Sequence, residues 1–262
     1  MVEREADFEK CFAESKNMKK LLKRNKNKMI KNFIILSGIL LSFVLLAGCK
    51  NTQQDGAFDG EEPTEKSANT EWDDMAGSIC YVKAGEKTGS GVILALNSDY
   101  VDVATAKHLI EECLYPEVTF INKESATGMS FFYSQQHDLA MIRIDRKACI
   151  DIHWEELSEA PLYLEAHPDD FFIEKKVDII ASKLEAAGNR GEGTISEYHF
   201  FAADFNDFVF LVEGTIEHGY SGGGVFLDDG FLLGMIIGGD GTYGACLPSE
   251  VIYEEYSSAL QM

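Results

Sequence analysis

Three short stretches of this 262-residue chain combine residue types that can move a proton and attack a carbonyl. Gly89-Ser90-Gly91-Val92-Ile93 is followed by Ala104-Thr105-Ala106-Lys107-His108-Leu109-Ile110. Next comes His137-Asp138-Leu139-Ala140-Met141-Ile142-Arg143-Ile144, and last Gly219-Tyr220-Ser221-Gly222-Gly223-Gly224-Val225-Phe226. In chain order they supply an imidazole, a carboxylate and a hydroxyl. A serine hydroxyl is a weak nucleophile until a neutral imidazole takes its proton, and the imidazole needs a buried carboxylate to fix its tautomer and stabilise the imidazolium. His108, Asp138 and Ser221 are the candidates for those roles. Glycines around Ser221 let the backbone turn sharply and aim N–H groups at one point. The amides of Gly219 and Ser221 are therefore candidate donors to a developing oxyanion, each worth about 3 kcal/mol when lost. Such a set suits acyl transfer.

Groups so far apart in sequence need a scaffold that brings them together. From Ser78 onward, apolar, β-branched and aromatic runs of about five residues alternate with Gly, Asn, Asp and Ser: ICYVKA, GVILAL, YVDVATA, EVTFIN, MSFFYS and LAMIRI, then VDIIAS, GTISEY, DFVFLVEG, GGVFL, FLLGMIIGG and TYGACL. That pattern predicts antiparallel strands. The runs form two batches of about six, divided by a polar, acidic connector from Ile150 to Lys176 with Pro161 and Pro168. The expectation is an all-β fold of two six-stranded antiparallel barrels, residues 75–160 with His108 and Asp138 and residues 161–262 with Ser221, since closure removes exposed strand edges. Pro248 to Met262 reads as a terminal helix, with Val251, Ile252, Tyr256 and Leu260 on nearly one face.

The stretches resemble those of chymotrypsin-fold serine proteases, in particular the HtrA-like bacterial branch: GSG-V-I before T-A-x-H, then D-L-A-x-I-x-I, then G-x-S-G-G, in the order His, Asp, Ser. Gly193-Thr194-Ile195-Ser196 resembles the family's G-x-I-S strand. Phe231 to Ile236 resembles the strand after the nucleophile, and Ala245-Cys246-Leu247-Pro248-Ser249 resembles F-A-I-P-S. The likeness spans roughly residues 77–258. It implies a serine endopeptidase acting on polypeptide substrates without a cofactor or metal, with the cleft between two barrels. It further implies that Ile237, Gly238 and Gly239 form the edge that pairs with an extended substrate, and that the specificity pocket has its base at about Thr215 and its walls near Gly239 and Ala245. A small or medium apolar side chain would suit that pocket; the alternative expectation is a preference for basic peptides, steered by acidic residues such as Glu213 and Glu217.

Several residues depart from the family's pattern. Lys107 stands where a small residue is usual, and its cation would act on His108 if it pointed inward. Tyr220 replaces Asp or Asn, which argues against activation through an Asp and a new amino terminus. Gly224 replaces Pro or Ala and would loosen the loop after the nucleophile. With Met262 as the last residue, the PDZ domains of the HtrA-like proteases are not expected here.

Gly219 to Gly223 also fits the G-x-S-x-G elbow of α/β-hydrolases, but that fold requires Ser before acid and His, followed by a helix. All six histidines precede Ser221. His137, His153, His167, His199 and His218 read as surface or hydrogen-bonded structural residues. A second class of function stays open, in which the protease fold serves as a catalytically silent binding or scaffold module.

Residues 1–48 read as an address. A basic stretch, KKLLKRNKNKMIK from Lys19, leads into a 16-residue apolar run from Phe33 to Gly48, ending Leu46-Ala47-Gly48-Cys49. The run has secretory length rather than the ~20 residues of a spanning helix. Its end resembles the bacterial lipobox, which implies lipidation of Cys49; an uncleaved anchor is the other reading. Both place the rest of the chain outside the cytoplasm, membrane-attached. Met18 is a better start for such a signal than Met1. Residues 49–74 are polar and acidic and read as a tether.

The formal charge is −21 from 23 basic and 44 acidic residues, and beyond Cys49 it is −26, from 13 basic and 39 acidic. That argues against nucleic acid as a partner. Oligomeric state leaves no mark in the sequence. Cys80, Cys113, Cys149 and Cys246 could form two bridges in three connectivities; with no C-x-x-C pair, metal binding is disfavoured.

Overall fold

In the computed structural model, residues 75–168, 170–183 and 186–261 are described. Residues 1–74, with the expected signal segment, Cys49 and the expected tether, lie outside them.

Seven strands form the first sheet: β1 (Ile79–Ala84), β2 (Lys87–Leu96), β3 (Tyr100–Thr105), β4 (Glu117–Thr119), β5 (Ser125–Thr127), β6 (Met129–Tyr133) and β7 (Ala140–Asp145). Their order is β5-β4-β1-β2-β3-β7-β6 and every pairing is antiparallel. Local chemistry sets the hairpins. Gly85, at φ +65°, makes the two-residue turn from β1 to β2. Between β2 and β3, Asn97 Oδ1 accepts from the amides of Asp99 and Tyr100.

The expected six-stranded first barrel is corrected here: the sheet has one more strand and its ladder is an open curl. Pro116 has no N–H to give just before the short β4. The gap is spanned instead by two bonds from irregular backbone, Gly128 N–H to Pro116 O (3.0 Å) and Ser130 N–H to Leu114 O (2.8 Å).

The second batch of runs does close. β8 (Lys176–Lys183), β9 (Ala186–Ala202), β10 (Asp207–Gly214), β11 (Gly224–Phe226), β12 (Leu232–Gly239) and β13 (Tyr243–Pro248) form a barrel in the order β10-β13-β12-β11-β8-β9. The polar start of β9, AAGNRGEG, carries no strand signal. It pairs with β8 nonetheless, and there the Arg190 guanidinium forks onto the Asp178 carboxylate at 2.8 and 3.0 Å.

Gly224, expected to loosen the chain, opens β11 and is held between Met235 of β12 and Ile180 of β8. A Cβ there would lie 2.4 Å from the Phe226 ring, so the missing side chain admits an aromatic and tightens the packing.

Helix α1 (Lys107–Ile110) follows β3, and α2 (Ser249–Ala259) ends the fold. Ile252 of α2 is fully buried with Val251 and Tyr256 packed beside that cluster, while Leu260 falls past the helix end and is half exposed.

One apolar cluster fills the curl of the first sheet, around Ile93, Val103, Phe120 and Ile142. A second fills the barrel, around Ile179, Phe210, Val212 and Ile236. The third draws on both, joining Val92, Ala104 and Met141 to Ile180, Phe226, Met235, Ile237 and Ile252. The two halves are thereby packed as one body. Within the first, Asp102 is completely buried yet satisfied: Arg143, its direct cross-strand partner, forks onto it at 2.7 and 2.6 Å, and the Tyr256 hydroxyl of α2 donates at 2.7 Å.

All four cysteines among the described residues are free. Cys80 lies in the core of the first sheet and Cys246 in that of the barrel, where burial pushes both thiols well above their usual value.

Candidate active site

The end of β3 delivers His108. Ala106 is buried and extended, and Leu109 and Ile110 of α1 bury their side chains, so the short helix is pinned apolar side down. The imidazole is left at the surface of the cleft.

Asp138 sits in the β6–β7 loop, which is folded around Ser134. Ser134 Oγ accepts from the amides of Gln136 and His137, and its own N–H donates to Leu139 O. The Asp138 carboxylate holds His108 twice, accepting from the backbone N–H at 2.9 Å and meeting the ring Nδ1 at 2.6 Å. A carboxylate only accepts, so the proton of this bond belongs to Nδ1, and in the neutral ring Nε2 keeps a free lone pair. The pair is graded in exposure: the Asp138 side chain is 15% exposed and that of His108 44%. Lys107 points elsewhere, its ammonium donating to Ser134 O at 2.9 Å.

Ser221 arrives from the barrel half on a turn whose shape requires glycine. Gly222 has φ +88°, and a Cβ on it would stand 1.8 Å from the Ser90 carbonyl oxygen of β2. The close approach is stitched by Ser90 N–H to Ser221 O (2.8 Å), Gly222 N–H to Ile236 O (2.7 Å) and Thr105 Oγ1 to Ser90 O (2.7 Å). Tyr220, beside the serine, is buried in the barrel's apolar cluster. Gly219 has φ +95°. Among the described residues, neither the Gly219 nor the Ser221 amide donates to a protein acceptor.

His108 and Ser221 open into one cleft of about 870 Å³, lined also by Gly219, Ile216, Ile237, Gly238 and Gly239. Pairing with β11 ends at Met235 and Ile236 still bonds to Gly222 and Gly223; beyond it β12 has β13 on one side only, and its edge at Ile237, Gly238 and Gly239 borders the cleft.

Thr215 is exposed and is not among the lining residues; its neighbour Ile216 is. Gly239 and Gly244 pair across β12 and β13, and Ile216 carbons lie 2.7 and 3.0 Å from where their Cβ atoms would be. Ile216 thus fills the gap those glycines leave.

Sequence reasoning also passed over Phe205, whose ring covers Gly238 at 2.5 Å from its would-be Cβ. Phe205 comes from the β9–β10 turn, and no local pattern ties it to β12. Glu217 lines the cleft with Glu86, whereas Glu213 stands exposed on β10.

Those elements define the class of protein. The profile of the trypsin-like peptidase domain matches residues 89–235, over half of the chain and all three candidate residues, and the chain belongs to that family. No curated protein matches it. Two solved structures are similar in fold. One is Rv3671c from M. tuberculosis, a serine-to-alanine variant in an inactive form, with TM-score 0.57 and 13% identity over 79% of this chain and 97% of that one. The other is the Rv3671c protease, also in an inactive form, with TM-score 0.55 and 14% identity over 71% and 90%.

Proposed function

We propose that this trypsin-like peptidase is a serine endopeptidase working through Ser221, His108 and Asp138. The observation that carries the reading is the double hold of Asp138 on His108, which leaves Nε2 as the base on a cleft shared with Ser221. Ser221 Oγ gives its proton to His108 and attacks the scissile carbonyl. The negative oxygen is received by the Gly219 and Ser221 amides, and His108 then protonates the leaving amine. Water repeats the sequence on the acyl-enzyme.

An extended substrate pairs with the β12 edge at Ile237 to Gly239. Because Ile216 occupies the space between Gly239 and Gly244, the residue before the scissile bond is small, alanine or smaller in bulk than leucine.

The test is labelling of the folded protein by a fluorophosphonate probe, with Ser221→Ala as control. Labelling lost in the variant supports the reading; a folded wild type that never labels overturns it in favour of the silent binding module.

The likeness of the motifs to the HtrA-like branch supports placing the chain near those proteases. Its apolar run and Cys49 support a lipid-anchored, extracytoplasmic location. Cys49→Ala is expected to release the protein from the membrane fraction.

A further inference from the structure

The GSG motif contributes more than a turn. Ser90 is completely buried in β2 of the first sheet, yet its hydroxyl is bonded wholly to the other half of the molecule. Ser182 N–H of β8 donates to Ser90 Oγ at 2.9 Å. The hydroxyl lies 2.8 Å from Gly219 O and 3.2 Å from Ser182 O. A hydroxyl has one proton to give, and the shorter, separate acceptor is Gly219 O.

We propose that Ser90 is a positioning residue for the oxyanion site, acting through Gly219. This rests on the proposed function. Glycine at φ +95° has no side chain to hold its orientation, and its carbonyl is tied down by the Ser90 hydroxyl. The bond fixes the Gly219–Tyr220 peptide plane. The Gly219 N–H lies in the adjoining His218–Gly219 peptide across the same Cα, so anchoring the carbonyl removes one of the two torsions by which this glycine could turn its N–H from the cleft. The adjoining backbone of Ser90 already holds Ser221 O, so one residue of the first sheet anchors the carbonyls of both residues whose amides are the proposed donors.

Ser90→Ala removes the hydroxyl and leaves that backbone bond in place. The measurements use full-length protein, with active sites counted by exhaustive fluorophosphonate titration. They are kcat and KM on an alanine-rich peptide p-nitroanilide, the rate of fluorophosphonate labelling, and affinities for a peptide boronic acid, which forms a tetrahedral anion on the serine, and for the matching unreactive peptide.

The expected result is a 10- to 100-fold fall in kcat, in labelling rate and in boronic acid affinity, with KM and binding of the unreactive peptide within about twofold of wild type. Ser90→Cys keeps the shape with a weaker donor and should lie between the two; it serves also if the alanine variant does not fold. A merely structural role would lower Tm and leave the rate per titrated site unchanged, which overturns the proposal. Parallel loss of both affinities overturns it too. Failure of wild type to label is a separate outcome, since it removes the proposed function itself.

Discussion

The two halves solve closure differently. The barrel half completes its ladder through six strands, whereas the first sheet is completed only by Gly128 and Ser130 reaching the irregular backbone at Leu114 and Pro116. The residues they carry differ in the same sense. Ser221 rides on a turn clamped from several sides, with Gly222 admitting no side chain. His108 and Asp138 come from a four-residue helix and a loop held by individual hydrogen bonds. The proposed nucleophile thus sits on a close backbone approach that admits no side chain, and the imidazole of the proposed base is oriented by its bonds to Asp138, so the two halves should fail in different ways.

Removing a polar contact in the first sheet should abolish activity without unfolding. Asp138→Asn leaves the geometry but presents an amide to Nδ1, which favours the wrong tautomer. A fall in kcat of about 10⁴ is expected, with Tm nearly unchanged; the check is the labelling rate beside a thermal melt.

Crowding the clamp in the barrel half should act on folding instead. Gly222→Ala forces a Cβ against the Ser90 carbonyl and strains a left-handed residue, so a loss of about 3 kcal/mol or more is expected in urea unfolding, and activity falls with it.

The joint between the halves sharpens the contrast. Tyr256→Phe removes the helix donor to buried Asp102, whose Arg143 partner remains. A loss of about 1.5–3 kcal/mol is expected by denaturant melt, with kcat retained.

The smallest effect lies at the start of α2. Among the described residues Glu250 Oε2 is buried without a hydrogen-bond partner, and burial holds its carboxyl above the usual value. A folded-state value above the unfolded one means that folding favours the protonated form. The ionised side chain therefore subtracts from stability at neutral pH, and the deficit disappears as pH falls below the unfolded value. Glu250→Gln should gain up to about 1 kcal/mol at pH 7, a gain that shrinks in acid; melts of both proteins across pH 4–8 provide the check.

Much of this architecture is legible in the chain. Every apolar run from ICYVKA to TYGACL is strand at least in part, because half-buried antiparallel strands must alternate or concentrate β-branched and aromatic residues. The exceptions have physical causes. β5, Ser125–Thr127, is too short to carry a pattern, and the first half of β9 is held by its partner strand and the Asp178–Arg190 pair rather than by apolar side chains. Asp102 and Arg143 look like solvent-facing charges in their runs. They are a paired, partly buried unit because β3 and β7 set them side by side, Tyr100 and Phe131 pack on the guanidinium, and the Tyr256 hydroxyl, 154 positions after Asp102, completes the carboxylate's bonds. Thr215 and Ile216 differ by a single step along the chain, and a shift of one residue exchanges outside for inside.

Taken alone, the sequence determined the family pattern, the strand content, and which imidazole, carboxylate and hydroxyl were available, because these depend on residue type and local spacing. Tertiary structure alone decided that the first sheet stays open, that Ile216 rather than Thr215 lines the cleft, that Phe205 covers Gly238, and that Ser90 bonds across to Gly219. Each of those outcomes is a contact between segments distant in the chain, and such contacts are chosen by packing volume and hydrogen-bond satisfaction in the assembled molecule, quantities no local window contains.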